Sequence, residues 1–373
     1  MSCSAWHVLY ADLGGLPFRQ QPQTEGRQLF RKMEKIRFVL VGTGRISDWV
    51  LRGALEDRRF EAVGVCSRSE ERARGFINMH PSAFGPDAKT FTSIEDAAAC
   101  PDVDAVYIGT PNSTHSDYAV AALRAGKHVL CEKPMGLNEA QVREMVQLAR
   151  EKGCLLMEAM ISTLLPVFRE ARRHIPQLGR LRHYSSSFCQ YSSRYGDLLK
   201  GKVASSFNPE LGGGALRDVG VYVTYPLVSL FGYPDSVSSS MIRMTTPMGD
   251  VDIHGSALLS YGDMTANLVF SKCTDAFAPT EICGEEGNML IDRIHISREA
   301  CFLPHHAPTS GRGGCSVAQV LAEGLDHDEY YYEFKEFIDV LEDGRTESAI
   351  NSLDVSLLNA RLMDAIEKSA RNV

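Results

Sequence analysis

The chain has 373 residues, 44% of them hydrophobic, and a formal net charge of −8. That length is too great for one compact core and points to two domains. The acidic balance excludes a nucleic-acid surface built on a basic stripe, and no run reaches the ~18 apolar residues that span a bilayer.

The ten cysteines lie scattered from Cys3 to Cys315 without a C-x-x-C pair. Such spacing suits reduced thiols in a cytoplasmic protein rather than a disulfide framework, and no metal site is expected. Residues 1–32 lack the basic start, apolar core and cleavage site of a signal peptide. They read as an upstream extension without its own fold, with Met33 as the natural start.

From residue 33 to 157 the pattern alternates strand and helix. Ile36–Val41, Ala62–Cys66, Ala105–Ile108, His128–Cys131 and Leu155–Met157 are short apolar runs of the kind that buried parallel strands show. Between them lie helical patterns. Ser116–Ala125 is one, stopped by Gly126. Another starts at the N-cap Asn138, with Gln141 placed for a capping box, and closes at Gly153. Short links between alternating strands and helices imply a doubly wound α/β domain, with helices on both faces of a parallel sheet.

The segment 158–373 changes character. Leu181–Gln190, Ser236–Met244, Gly255–Tyr261, Thr265–Ser271 and Thr280–Cys283 read as longer strands. Tyr261-Gly262-Asp263 and Gly284-Glu285-Glu286-Gly287 suit hairpins. Helices are expected at Gly214–Phe231, Asp328–Leu341 and Leu353–Arg371. The expectation is an α+β domain on a mostly antiparallel open sheet, serving substrate binding and oligomerisation.

Gly42-Thr43-Gly44-Arg45-Ile46-Ser47 follows the first strand and matches G-x-G-x-x-G/A except at Ser47. The first glycine permits a tight turn and the second lets the backbone approach a pyrophosphate. The helix that begins near Arg45 offers free N–H groups and a positive dipole end to phosphate. Ser47, larger than glycine, is expected to loosen the helix–strand packing slightly.

The second strand ends at Cys66-Ser67-Arg68-Ser69, where an NAD enzyme usually places an acid for the ribose 2′-OH. Ser67 and Arg68, with Arg72, could instead hold a 2′-phosphate. The competing reading makes both arginines solvated helix-surface residues. NADP(H) is therefore the expected cofactor, with NAD(H) still open.

Three further motifs follow in order: Thr110-Pro111-Asn112-Ser113-Thr114-His115, then Gly126 through Glu132-Lys133-Pro134, then Gly212-Gly213-Gly214 through Asp218 and Tyr222. With the opening turn they resemble the family of glucose-fructose oxidoreductase and inositol dehydrogenase, the Gfo/Idh/MocA family. Asn208-Pro209-Glu210 looks like the branch that contains dimeric dihydrodiol dehydrogenase and NADP-dependent xylose dehydrogenase. The resemblance covers nearly all of residues 34–373.

It implies that Thr110, Pro111, Asn112 and His115 line the cofactor edge and that Glu132 and Lys133 lie by the nicotinamide ribose. It also implies a cis Lys133–Pro134 bond, and Asp218 and Tyr222 facing Lys133 from the second domain. Asp218 and Tyr222 stand at i and i+4 of a helix and so point into one cleft. Tyr222 is read as proton donor or acceptor, its pKa lowered by Lys133, with Asp218 orienting either group; the roles of Tyr222 and Lys133 are exchangeable. Many relatives carry an arginine where Thr163 stands, and many have His in place of Tyr222.

The expected activity is a dehydrogenase or reductase that acts on the CH–OH group of a sugar, polyol or cyclic diol. The alternatives are a glycoside-cleaving enzyme that oxidises its substrate transiently with bound NAD, and a silent dinucleotide-sensing regulator. The resemblance further implies a homodimer or homotetramer.

Overall fold

In the computed structural model of the chain, residues 35–305 and 317–372 are described. The proposed start at Met33 and the extension 1–32 lie outside them.

The first layer begins with β1 (Ile36–Val41), α1 (Arg45–Ala54), β2 (Phe60–Cys66), α2 (Glu70–Met79) and β3 (Phe84–Phe91). It continues with α3 (Ile94–Ala99), β4 (Ala105–Ile108), α4 (His115–Arg124), β5 (His128–Glu132), α5 (Glu139–Lys152) and β6 (Leu156–Ala159). The six strands pair in the order β3-β2-β1-β4-β5-β6, all parallel. The order reverses between β1 and β4, which opens a crevice at the carboxyl ends of the strands.

Buried side chains explain why the central strands read so clearly: β4 is buried at every position and β1 at all but one. The edge strand β3, absent from the sequence reading, exposes Gly85, Pro86, Asp87 and Lys89. An edge strand with a polar face carries no apolar run to detect.

Caps set the helix ends. The Asn138 side chain accepts from the Gln141 N–H at 3.0 Å, and Gly153 closes α5 in the left-handed conformation at φ 63°. The reciprocal bond of a capping box is displaced by one residue, because Gln141 Oε1 accepts from the Leu137 N–H at 2.8 Å.

The chain then forms α6 (Ile161–Leu164), α7 (Pro166–His174), β7 (Leu181–Cys189), α8 (Tyr195–Leu198) and α9 (Val221–Phe231). Strands β8 (Ser236–Thr246), β9 (Gly249–Tyr261), β10 (Met264–Ser271), β11 (Thr280–Gly284) and β12 (Gly287–Ile291) follow. The last elements are β13 (Glu299–Pro304), β14 (Gln319–Glu323), α10 (Tyr331–Glu342), α11 (Leu353–Ser369) and β15 (Ala370–Asn372).

These strands make a nine-stranded sheet in the order β14-β13-β12-β11-β7-β10-β9-β8-β15. It is mostly antiparallel, with parallel pairs at β7–β10 and β8–β15. Its inner face and α9 enclose a core that includes Tyr184, Tyr225, Leu268 and Phe270.

A division of the chain at residue 157/158 would leave α10 with this second sheet. Its packing sets it on the first: the Phe334 and Phe337 rings both lie 5.5 Å from Phe38, and Phe334 lies 5.2 Å from Phe60. Arg59, paired with Asp57, reaches Asp339 at 2.9 Å and Glu342 at 2.6 Å and ties the helix down. Nothing in the periodicity of α10 says which sheet its apolar face will meet. That choice is a tertiary fact, and it carries Glu333 under the functional site.

Candidate active site

At the switch between β1 and β4 lies a cleft of about 990 Å³. Its walls include Gly42, Thr43, Gly44, Ser67, Arg68, Arg72, Thr110, Pro111 and Asn112 from the first domain. The second domain contributes Ser205, Ser206, Leu211, Gly213 and Asp218.

The glycine turn is sterically required. Gly42 sits at φ 109°, and a Cβ there would stand 2.5 Å from the Gly109 carbonyl oxygen. A Cβ on Gly44 would meet nothing within 4 Å. Gly44 therefore leaves the N-terminus of α1 bare toward the cleft, and no side chain among the described residues caps that helix. Bare N–H groups at the start of a ten-residue helix, beside a glycine turn, fit a pyrophosphate.

Ser47, at the third motif position, is fully buried, and its Oγ has no partner among the described residues. It faces Gly109, where an added Cβ would come within 3.1 Å of that Oγ. The glycine missing from the helix has in effect been moved to the facing strand end, and the packing stays close.

At the end of β2, Ser69 caps α2 by accepting from the Arg72 N–H at 3.3 Å. The Arg68 and Arg72 guanidiniums line the cleft, and no ion pair engages either among the described residues. Two free cations beside Ser67 fit a phosphate better than a ribose hydroxyl.

Other expected cofactor residues lie elsewhere. The Arg45 guanidinium stands 5.9 Å over the Trp49 ring, along α1. Ile46 is half-buried beside it. His115 is fully buried; its Nδ1 lies 2.9 Å from the Pro134 carbonyl and its Nε2 2.9 Å from the Thr110 carbonyl, and the neutral ring donates to one of the two. It is a strut behind the cleft wall rather than a lining residue, and burial pushes its pKa down.

Glu132 is also buried. It accepts from the Tyr107 hydroxyl at 2.8 Å and from the Lys133 N–H at 3.2 Å. The Lys133–Pro134 bond is cis.

Lys133 projects from the end of β5 toward the second domain. Its Nζ donates to the Asp218 carbonyl at 2.8 Å, lies 3.6 Å from Asp218 Oδ1, and sits 4.6 Å over the Tyr222 ring. Asp218 falls in a π-helical turn, Leu216–Gly220, and Tyr222 in the first turn of α9. The i, i+4 spacing brings both to one lysine even though the helix is locally widened.

The turn depends on Gly214, at φ 128°. The Asp252 carboxylate caps the turn by accepting from the Leu216 N–H at 2.6 Å, and a Cβ on Gly214 would strike that carboxylate at 2.0 Å.

The electrostatics correct one expectation. The Tyr222 phenol is pushed well above its ordinary pKa by burial first and then by Glu132, Glu333 and Asp218. Lys133 stands over the ring, and the phenol is not drawn toward neutrality. Burial alone would raise the Asp218 carboxyl, but Lys272 first and Lys133 second outweigh it and hold it below its ordinary value.

Two features had no sequence signal. Lys272, just past β10, is almost fully buried and contacts Asp218 Oδ2 at 2.5 Å. Phe188 stacks on His295 at 3.9 Å and meets Tyr222 edge-on at 5.3 Å, which makes an aromatic wall beside Lys133. Thr163, where an arginine was the common alternative, is buried and bonds to the Met160 carbonyl and Asn351 Oδ1. It is part of the support beneath β6.

Glu158, on β6, accepts from the Met135 N–H at 3.0 Å. Burial raises its pKa from an ordinary 4.5 to about 7. The folded state thus holds this proton more tightly than the unfolded chain, so stability falls as pH rises from about 4.5 to about 7. Glu158→Gln is expected to remove that slope, worth on the order of 1–3 kcal/mol at pH 8. Urea unfolding at pH 5 and pH 8 checks it. An equal slope in both proteins would show that Glu158 does not carry the effect.

A dinucleotide-shaped crevice joined to a Lys–Asp–Tyr cluster defines a two-domain nicotinamide-type oxidoreductase. The chain belongs to the Gfo/Idh/MocA oxidoreductase family: the model of its NAD-binding Rossmann fold matches residues 36–160, and that of its C-terminal domain matches residues 168–290.

The scyllo-inositol 2-dehydrogenase (NADP(+)) IolU of Bacillus subtilis is 38% identical over 333 residues, 89% of this chain and 96% of that one. The trans-1,2-dihydrobenzene-1,2-diol dehydrogenase of Xenopus laevis is 31% identical, over 87% of this chain and 95% of its own. Among solved structures, the 3-ketoreductase KijD10 of Actinomadura kijaniata, in complex with NADP and TDP-benzene, superposes with a TM-score of 0.76 at 25% identity. That match covers 91% of this chain and 99% of the other. No helix among the described residues is long and apolar enough to cross a membrane.

Proposed function

We propose that this protein is an NADP(H)-dependent dehydrogenase or reductase that acts on a secondary alcohol, or the matching ketone, of a polyol, sugar or cyclic diol. The observation that carries the reading is Asp218. It lines the cofactor cleft and at the same time holds the Nζ of Lys133 against the face of the Tyr222 ring. The relatives named for NADP(+) and for diol or inositol substrates support the same choice.

The nicotinamide, when bound, supplies or accepts the hydride. The remaining work falls to the chain. Gly42, Thr43 and Gly44 would hold the pyrophosphate, and Ser67, Arg68 and Arg72 the 2′-phosphate. Lys133 carries the positive charge that stabilises an alkoxide forming beside it. In reduction Tyr222, whose phenol keeps its proton at neutral pH, gives that proton to the substrate oxygen as the carbonyl takes the hydride; in oxidation the same path runs backward, the deprotonated phenol taking the alcohol proton. Asp218 stays ionised and fixes the lysine. Phe188 and His295 offer a flat wall suited to the C–H face of a ring.

A cytoplasmic location and a homodimer or homotetramer belong to the same reading. Leu258, Ile242 and Val320 stand exposed on strands of the second sheet, which suits a partner copy.

The test is a spectrophotometric panel of polyols, aldoses and cyclic diols with NADP+ and with NAD+. Turnover on at least one ring polyol or diol, faster with NADP+, is expected. Flat absorbance across the panel despite measurable cofactor binding would overturn the reading.

A further inference from the structure

We propose that Lys272 is a positioning residue for the redox site: it fixes the Asp218 carboxylate and clamps the helical turn Ser205–Phe207 against it, which joins the cofactor cleft to the Lys133–Tyr222 pair. The inference rests on the oxidoreductase reading and extends it to a residue outside the Lys133, Asp218 and Tyr222 cluster.

Lys272 comes directly after β10, the strand between β7 and β9 in the sheet. Its side chain is 3% exposed. Its backbone is held on both sides, the N–H donating to the Ile253 carbonyl at 2.9 Å and the carbonyl accepting from the Ser192 N–H at 2.9 Å. The Nζ then makes three contacts. It donates to Asp218 Oδ2 at 2.5 Å and to the Ser206 carbonyl at 2.6 Å, and it stands 4.3 Å over the Phe207 ring.

A buried ammonium costs several kcal/mol in desolvation and is retained only with close partners. A hydrophobic residue could fill this space at lower cost, and Phe207 already sits in an apolar cluster with Leu198, Val251 and Ile253. The charge therefore has a task that packing alone would not assign.

That task follows from how the carboxylate is shared. Oδ2 belongs to Lys272 and Oδ1 faces Lys133. With one oxygen pinned, the other presents a fixed anchor to the lysine that meets the substrate. The Ser206 carbonyl adds a second tie, because Ser205 and Ser206 form a lip of the cofactor cleft. The charged groups that face Asp218 are Lys272 and Lys133, with Tyr222 beside Lys133.

Removing Lys272 leaves the carboxylate one cation instead of two. Its proton is then held more tightly, so the acidic limb of kcat/KM moves to higher pH, by about 1 unit or more in Lys272→Met. A fall in kcat of at least about 10-fold accompanies it, with the larger share in kcat rather than KM. Lys272→Arg, which keeps the charge, is expected to bring the limb back toward its wild-type position.

Titration of the Asp218 carboxyl by carbon NMR, assigned with Asp218→Asn, reads the same shift without turnover. A wild-type enzyme inactive on every substrate overturns the oxidoreductase reading, and the carboxyl titration still decides the role of Lys272.

If Lys272→Met does not fold, the decisive pair is Asp218→Asn against Lys272→Met/Asp218→Asn. A residue that acts through Asp218 adds no further loss of kcat in the double variant. An additional loss of 10-fold or more, or an unshifted limb and carboxyl titration in a folded Lys272→Met, would overturn the proposal.

Discussion

Lys133→Met is expected to lower kcat by about 10²- to 10⁴-fold while the protein stays folded. Methionine matches the lysine side chain as far as Cε and keeps the site apolar, but it cannot donate to the Asp218 carbonyl or stabilise an alkoxide. Asp218 retains Lys272 at 2.5 Å, so no carboxylate is left buried and unpaired, and the penalty for breaking an ion pair is largely avoided. Binding of NADP+ is expected to change little, because Lys133 lies beyond the phosphate-lining residues. Steady-state kinetics beside NADPH fluorescence titration and thermal unfolding check all three points. A variant with kcat within a few-fold of wild type would remove Lys133 from the chemistry.

The second large effect concerns cofactor choice. Replacing Arg68 and Arg72 together with Ala is expected to raise KM for NADP+ by about 10²-fold and leave KM for NAD+ within a few-fold. Hydrogen bonds to charged groups contribute roughly 1.5–3 kcal/mol, about 10- to 100-fold each, discounted here because both side chains are exposed. Neither guanidinium has an ion-pair partner to lose among the described residues, so the fold is expected to tolerate the change. Kinetics with both cofactors at two salt concentrations measure it, since an exposed charge contact weakens as salt rises. Equal losses for NAD+ and NADP+ would mean that the arginines do not read the 2′-phosphate.

What the sequence disclosed, and what it withheld, divides along physical lines. Features set by local chemistry were legible. Continuous apolar runs marked β1, β4 and β5 because those strands are buried on both faces. Asn138 and Gly153 marked the ends of α5 because a cap needs an acceptor and a left-handed stop favours glycine. The cis Lys133–Pro134 bond came with the motif resemblance.

Features set by distant partners were not legible. His115 reads as a cleft residue until two carbonyls, from Thr110 and Pro134, are seen to occupy its ring. The phenol of Tyr222 was expected to fall toward neutrality beside a lysine. Only the fold shows that the cation faces the ring while the carboxylates of Glu132 and of Glu333, carried in by α10, lie near enough to push the phenol up. Lys272 is one lysine after an apolar strand, and nothing in its neighbours in sequence distinguishes it from a solvated surface residue. Its importance is visible only when Asp218, Ser206 and Phe207 converge on it from elsewhere in the chain.

The measurement that tests the central claim most directly is deuterium transfer. A polyol or cyclic diol that the enzyme turns over is labelled at the carbinol carbon and incubated with NADP+ in single-turnover amounts. One deuterium per oxidised substrate is expected on the nicotinamide ring of the released NADPH, and Lys133→Met is expected to abolish the transfer. Unlabelled NADPH, or a product that retains all its deuterium while the cofactor is unchanged, would contradict hydride transfer at this site.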